Sequence, residues 1–184
     1  MVKSILNISI VLFLALSISA CDNDSKAQQN GTEFTATFSG SFITASVNTD
    51  SNDDGRPASL RTYEGESNFG KITLTILDEF AQPIPPVNCP EDNLEFGLVS
   101  GSFVIRVENG DLLLGVLESG FSCFEPLASF SEIIEEGNFT GGTGEFTNVN
   151  GTIEIKTNSM FLNTTAVDGF ASGGSTGSVA GMIE

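Results

Sequence analysis

From Thr32 to the end of the chain the apolar residues recur at every second position, and this period is the feature that most restricts the fold. In "EFTATFSGSF" it puts Phe34, Ala36 and Phe38 on one face and Thr35 and Thr37 on the other. "GKITLTILDEF" does the same with Ile72, Leu74 and Ile76, and "GTIEIKTNSMFL" with Ile153 and Ile155 followed by Phe161. Alternation of this kind is the signature of a strand with one buried face, whereas a helix repeats its apolar positions every three to four residues. No segment keeps a helical period beyond a turn or two. "PLASFSEIIEEG" reads equally as a short helix or a strand. "GSFVIRVENGDLLLGVLES" reads as two strands joined at Asn109-Gly110, a strong short hairpin signal. About eight such runs, separated by Gly, Asn, Asp and Pro clusters and closed by "GSVAGMIE", predict one all-β domain, a sandwich or a barrel. Fifteen Phe against one Tyr and no Trp predict an interior filled by phenylalanine.

The first residues obey a different rule. Lys3 precedes an apolar run from Ile5 to Ile18, and "SISAC" follows. A basic start, an apolar stretch too short for a membrane span and small residues before a cut are the layout of a secretory signal peptide. "ISA" before Cys21 resembles the bacterial lipobox, which implies lipidation of Cys21 as the first residue of the mature protein. The expected organisation is a signal peptide over 1–20, a flexible tether over 21–31 ("CDNDSKAQQNG") and a β-domain over 32–184. The expected address is the cell envelope, with the membrane reached through the lipid. Asp22 resembles a retention signal for the inner membrane in some enteric bacteria, but that rule is not general, so inner and outer membrane both remain open.

Charge excludes one class of partner. The chain holds 7 Lys and Arg against 24 Asp and Glu, a formal charge of −17, and Lys3 leaves with the signal peptide. A surface this acidic repels nucleic-acid phosphates and anionic lipid alike. The absence of histidine removes Ser-His-Asp and Cys-His catalysis. Lys26, Lys71 and Lys156 are poorly placed to activate a serine, being in the tether or on outward strand positions. Paired carboxylates for glycoside chemistry are not singled out in so acidic a chain, which also lacks an aromatic cluster to stack sugars. Cys89 and Cys123, exported and without a CxxC or a histidine to share a metal, are expected to pair as a disulfide.

One loop suggests a metal. In "NTDSNDDGRP" the residues Asp50, Asn52, Asp54 and Gly55 occupy positions 1, 3, 5 and 6 of an EF-type calcium loop, and the backbone carbonyl of Arg56 falls at position 7. Position 12, where a bidentate Glu is expected, is Arg61, a cation; Glu64 or Glu66, a few residues on, are the carboxylates that would have to fold back. The alternatives are a weak Ca2+ site and an Asx-rich turn.

"GNFTGGTGEFTNVNGTIEI" resembles a segment of the allene oxide cyclase-like and dirigent-like β-barrels, in which a strand enters a GGTG-x-F turn and a Gly opens the next strand. The matching positions are Gly141, Gly142, Thr143, Gly144, Phe146 and Gly151. A second resemblance is "TDSNDDGRPASL" after the first strand, as in some bacterial secreted proteins similar to this family. The resemblance implies a single antiparallel barrel of about eight strands, calycin-like in outline, with Phe146 plugging one end. A phosphate loop at the same glycines is disfavoured, because neither a following helix nor a Lys is present. The functions that follow are a small apolar ligand-binding or interaction module, an isomerase or cyclase working in the barrel by family analogy, or a calcium-stabilised structural or adhesive surface protein. No catalytic residue is carried over, and oligomeric state stays open.

Overall fold

The computed structural model describes residues 31–43, 45–46, 49–163 and 172–184. The signal peptide, Cys21 and nearly all of the tether lie outside the described residues. The rest is β-structure: β1 Thr32–Ile43, β2 Ala45–Ser46, β3 Ser59–Ser67, β4 Gly70–Phe80, β5 Leu94–Val107, β6 Leu112–Glu125, β7 Phe130–Gly142, β8 Gly151–Asn163 and β9 Ser172–Ile183, with one 3-10 turn at Gly144–Phe146. The ambiguous "FSEIIEEG" is part of β7 and therefore strand.

Every neighbouring pair is antiparallel, and β1 pairs with β9 on one side and with β3 on the other, so the sheet closes. The two-residue β2 continues the line of β1 along β3, pairing Ala45 with Leu60, so the barrel has eight staves. Closure leaves no sheet edge unpaired, and the alternation in the sequence becomes lumen against solvent. Bulges at Glu79/Phe80 and Leu117/Ser119 bend the wall.

The two ends differ. At one end lie the short turns β3–β4, β5–β6 and β7–β8, the start of β1 and Glu184, which exchanges backbone hydrogen bonds of 3.1 and 2.8 Å with Asn150. The β5–β6 turn has the Gly110 N–H on the Val107 carbonyl and Gly110 at φ +94°, so the Asn-Gly signal is realised as a turn with a glycine bulge. The other end carries the longer connections, including 49–58 and 81–93. Cys89 and Cys123 form a disulfide with Cα atoms 5.5 Å apart, fastening the 81–93 connection to β6. The Glu95 carboxylate adds a second fastening by accepting the amides of Val87 and Asn88 at 2.6 and 2.7 Å. The Asn88 and Val87 amides hold that carboxyl below its ordinary range.

Phenylalanine fills the lumen near the turn end. Phe146, Phe69, Phe34, Phe139 and Phe103 form one chain of ring contacts with centroids 5.3 to 6.0 Å apart. The rings fit because inward glycines face them. A Cβ at Gly177 would stand 2.2 Å from the Phe38 ring, one at Gly115 2.1 Å from Phe103 and one at Gly173 2.9 Å from Phe42. Each glycine thus marks a place where a large ring lies against bare backbone.

Candidate functional site: a charged cluster inside the barrel

Continuing each inward phase toward the loop end brings polar residues into the lumen. On β3 the phase of Tyr63 carries to Arg61, and the outward Leu60 is 40 % exposed while Arg61 is 4 % exposed. On β4 the series Ile72, Leu74, Ile76 ends in Asp78. On β7 the phase of Phe139 carries toward the loop end to Glu135, and on β8 Ile153 and Ile155 are followed by Thr157. All four polar residues are buried.

These residues meet across the barrel. Arg61 Nη2 donates to Glu135 Oε1 and Oε2 at 3.0 and 3.1 Å, joining β3 to β7 through the lumen, and also pairs with Asp78. Ser59 donates its hydroxyl to the other Asp78 oxygen. Burial opposes the charge on Arg61, yet Asp78, Glu135 and the neighbouring Tyr63 hold its pKa above the usual value. For Glu135 the balance runs the other way. Burial, reinforced by Asp78 and only partly countered by Arg61, pushes its carboxyl up to about 8. Near neutral pH Glu135 is therefore largely a carboxylic acid beside the Arg61 guanidinium.

Among the described residues, four buried polar atoms of the lumen have no hydrogen-bond partner: Arg61 Nε, Arg61 Nη1, the Tyr63 hydroxyl and Thr157 Oγ1. A buried polar group left unmatched costs about 1–3 kcal/mol, so a group of them in one place is an unusual feature to keep. Tyr63 stacks on Phe38 at 4.8 Å, which fixes the boundary between the polar zone and the phenylalanine core. Toward the loop end the lining stays mixed. Ser122 and Ser131 bond each other at 2.7 Å, Ser159 and Ser175 at 2.8 Å, and Phe161 packs edge-on against Phe42 and Phe124.

The Asp50–Gly55 loop has a different character. Asp50 accepts the amides of Asp54 and Gly55 at 3.0 and 2.8 Å, Asn52 accepts the Asp54 amide at 3.1 Å, and Asp54 accepts those of Arg56 and Gln82 at 2.8 and 2.9 Å. Burial pushes the Asp54 carboxyl up, but Asn52, the two amides and Arg56 together bring it below its ordinary range. Asp53 and Gly55 take positive φ of 55° and 84°. Ser51 caps the Glu79 carboxylate at 2.9 Å through its amide, and Arg56 lies over the Phe96 ring, 4.5 Å from its centroid. The loop brings Asp50, Asn52 and Asp54 together and holds them by its own amides. The donor set of an EF-type loop is not completed: the residue at position 12, Arg61, points into the lumen. Glu64 sits five residues along β3 from Ser59, faces solvent and accepts the Thr73 hydroxyl at 3.2 Å. Among the described residues no three or more Asp, Glu, Cys or His side chains are arranged to hold a metal ion.

The glycine-rich turn sits at the short-turn end. Thr143 reaches back to β6, its amide donating to the Leu112 carbonyl and its hydroxyl accepting the Leu112 amide, both at 2.9 Å. Gly141 and Gly142 end β7 and Gly151 opens β8. Gly144, at φ +55°, lies against the Asp111 carboxylate with no space for a side chain. Phe146 is 2 % exposed and closes the lumen.

On the outer wall a shallow groove of about 380 Å³ is lined by Glu118, Glu136, Glu154 and their neighbours on β6 to β9. No protein-family model matches the chain, and no curated sequence matches it. Among solved structures it is similar to a pterocarpan synthase dirigent protein, over 82 % of this chain and 84 % of that one, at 14 % identity and a TM-score of 0.23. A likeness that loose supports no residue correspondence and no statement about activity.

Proposed function

We propose that the protein is an exported, lipid-anchored envelope protein whose barrel binds a small, mainly apolar ligand in the loop-end half of its lumen. One observation carries the binding reading: unmatched polar atoms on Arg61, Tyr63 and Thr157, all inside the barrel and next to aromatic and serine-lined wall. Buried donors of this kind are matched when a ligand or ordered water supplies acceptors. The lipid anchor rests on the lipobox resemblance at Cys21. Because β1 starts at the plugged end, an anchor at Cys21 would place the loop end away from the bilayer.

Tyr63 is the chain's one tyrosine, and there is no tryptophan, so its emission reports on the lumen alone. Titration with N-phenyl-1-naphthylamine is expected to quench Tyr63. Thr157→Leu, which fills the site, should abolish the quenching, whereas Glu136→Gln on the outer wall should leave it unchanged. No quenching, or quenching indifferent to Thr157→Leu, contradicts the reading. Lipidation is tested separately by incorporation of labelled palmitate that Cys21→Ser removes.

The high Glu135 pKa favours a second reading. A carboxylic acid poised near neutral pH inside the lumen is suited to deliver a proton, which an isomerase or cyclase needs. Recovery of a bound ligand unchanged after long incubation separates binding from turnover.

A further inference from the structure

The unmatched atoms around Arg61 differ in what they demand of a ligand. Arg61 Nε and Nη1 carry only N–H donors, and a guanidinium has no acceptor at all. The carboxyl groups of the cluster are already engaged: both Glu135 oxygens lie 3.0 and 3.1 Å from Arg61 Nη2, one Asp78 oxygen pairs with the same nitrogen, and the other accepts the Ser59 hydroxyl. What remains is three hydrogens on the Arg61 cation, beside the Tyr63 and Thr157 hydroxyls, each of which can donate or accept. A cationic head would bring only further donors to a guanidinium that needs acceptors.

Resting on the reading that the lumen binds a ligand, we infer that Arg61, Tyr63 and Thr157 form a recognition site for a carboxylate head, carried on a short aryl-bearing body that lies toward Phe42, Phe161 and Phe124. A carboxylate offers acceptors alone, and hydrogen bonds from a guanidinium to it are roughly twice as strong as neutral ones. The body length follows from the wall. Thr157 and Phe161 are four residues apart on β8, roughly 13 Å at the rise of a strand, which spans a carboxylate, a few methylenes and one ring. Phe161 meets Phe42 and Phe124 edge-on, at centroid distances of 5.3 and 5.7 Å, in the manner of a ring cluster that accepts one more ring. The head enters first, because the polar zone lies deeper than these rings and is sealed below by Tyr63 on Phe38.

The test compares three probes with one body and different heads: 4-phenylbutyrate, 4-phenylbutyramide and 4-phenylbutylamine. Each displaces N-phenyl-1-naphthylamine from the full chain carrying Cys21→Ser, so that no lipid competes for the dye. The carboxylate is expected to displace it at a concentration about tenfold or more below the amide, and the amine to be weakest. Thr157→Val and Tyr63→Phe each remove one hydroxyl with little change in packing. Both are expected to keep the melting temperature while cutting the advantage of the carboxylate over the amide, each referred to that variant's own dye affinity, several-fold. Equal displacement by carboxylate and amide, or an advantage untouched by both variants, overturns the carboxylate assignment and leaves the lumen reading standing. If the dye itself does not bind the unaltered lumen, the lumen reading fails and this inference fails with it.

Discussion

The two halves of the lumen are built from the same eight staves and solve opposite problems. Near the short turns, Phe146, Phe34, Phe139 and Phe103 fill the barrel with rings set against glycine backbone, and nothing polar on an inward side chain needs a partner. Toward the long loops the same inward positions hold Arg61, Asp78, Glu135 and Thr157, and matching them is incomplete. The difference shows where the fold has its stability and where it keeps something in reserve. A barrel needs only one well-filled half to stay closed, and a half-matched charged cluster contributes little net stability of its own.

The largest effects should set the halves apart. Phe139→Ala leaves a cavity in the ring chain and should cost about 3–5 kcal/mol in urea unfolding, with the same loss at pH 5 and pH 8. Arg61→Ala strands two carboxyl groups in the lumen and should also cost about 3–5 kcal/mol near pH 8, but less at pH 5, where Glu135 is protonated. Replacing the cluster together, with Arg61→Met, Asp78→Asn and Glu135→Gln, should recover most of that loss. Equal pH behaviour of Phe139→Ala and Arg61→Ala would remove the distinction between the halves.

The disulfide comes next. It closes a long loop at the polar end, so Cys89→Ala with Cys123→Ala should lower stability by about 3–4 kcal/mol in the chain-entropy account. The loss should appear first as faster hydrogen exchange in 81–93 rather than in β8 or β9.

A smaller effect comes from Glu135 alone. Its folded pKa of about 8 stands above the ordinary 4.5, so between those values the folded chain keeps a proton that the unfolded chain has released. The stability linked to this group is fully present below pH 4.5 and is lost as pH rises through 8. Subtracting the stability of Glu135→Gln from that of the native protein at each pH should give a difference that falls over this range. A flat difference would mean that Glu135 is not held protonated. The smallest expected effect is that of calcium: the loop carboxylates are braced by amides and Arg61 is turned inward, so millimolar Ca2+ and a chelator should give the same melting temperature.

Much of the wall was legible in the sequence, because period two is a direct record of which side chains face inward. Phe34, Ala36, Phe38, Ile72, Leu74, Ile76, Ile153 and Ile155 are all buried as their spacing implies. Closure was legible only through the GGTG-x-F resemblance, which implied the eight-stranded barrel; the local pattern left sandwich and barrel open, since the pairing of β1 with β3 and β9 is a long-range fact. The cluster escaped for another reason. Arg61 drew notice only as the wrong residue at position 12 of a calcium loop, while the same alternation that placed Tyr63 inward also placed Arg61 inward. Polarity argued for exposure and phase argued for burial, and phase won. A strand phase carried through Asp78 and Thr157 in the same way, instead of stopping at the last apolar residue, gives two further members of the site. Glu135 was less accessible, because "SEIIEEG" supports neither phase clearly.

The central claim is that the loop-end half of the lumen, and not the outer wall, is the binding site. Amide chemical-shift mapping during titration with N-phenyl-1-naphthylamine tests it most directly. The account predicts shifts at Tyr63, Ser131, Glu135, Thr157 and Ser159, with Phe34, Phe146 and Ile183 unmoved. Shifts confined to the outer groove around Glu118, Glu136 and Glu154, or spread evenly over both halves of the barrel, would contradict it.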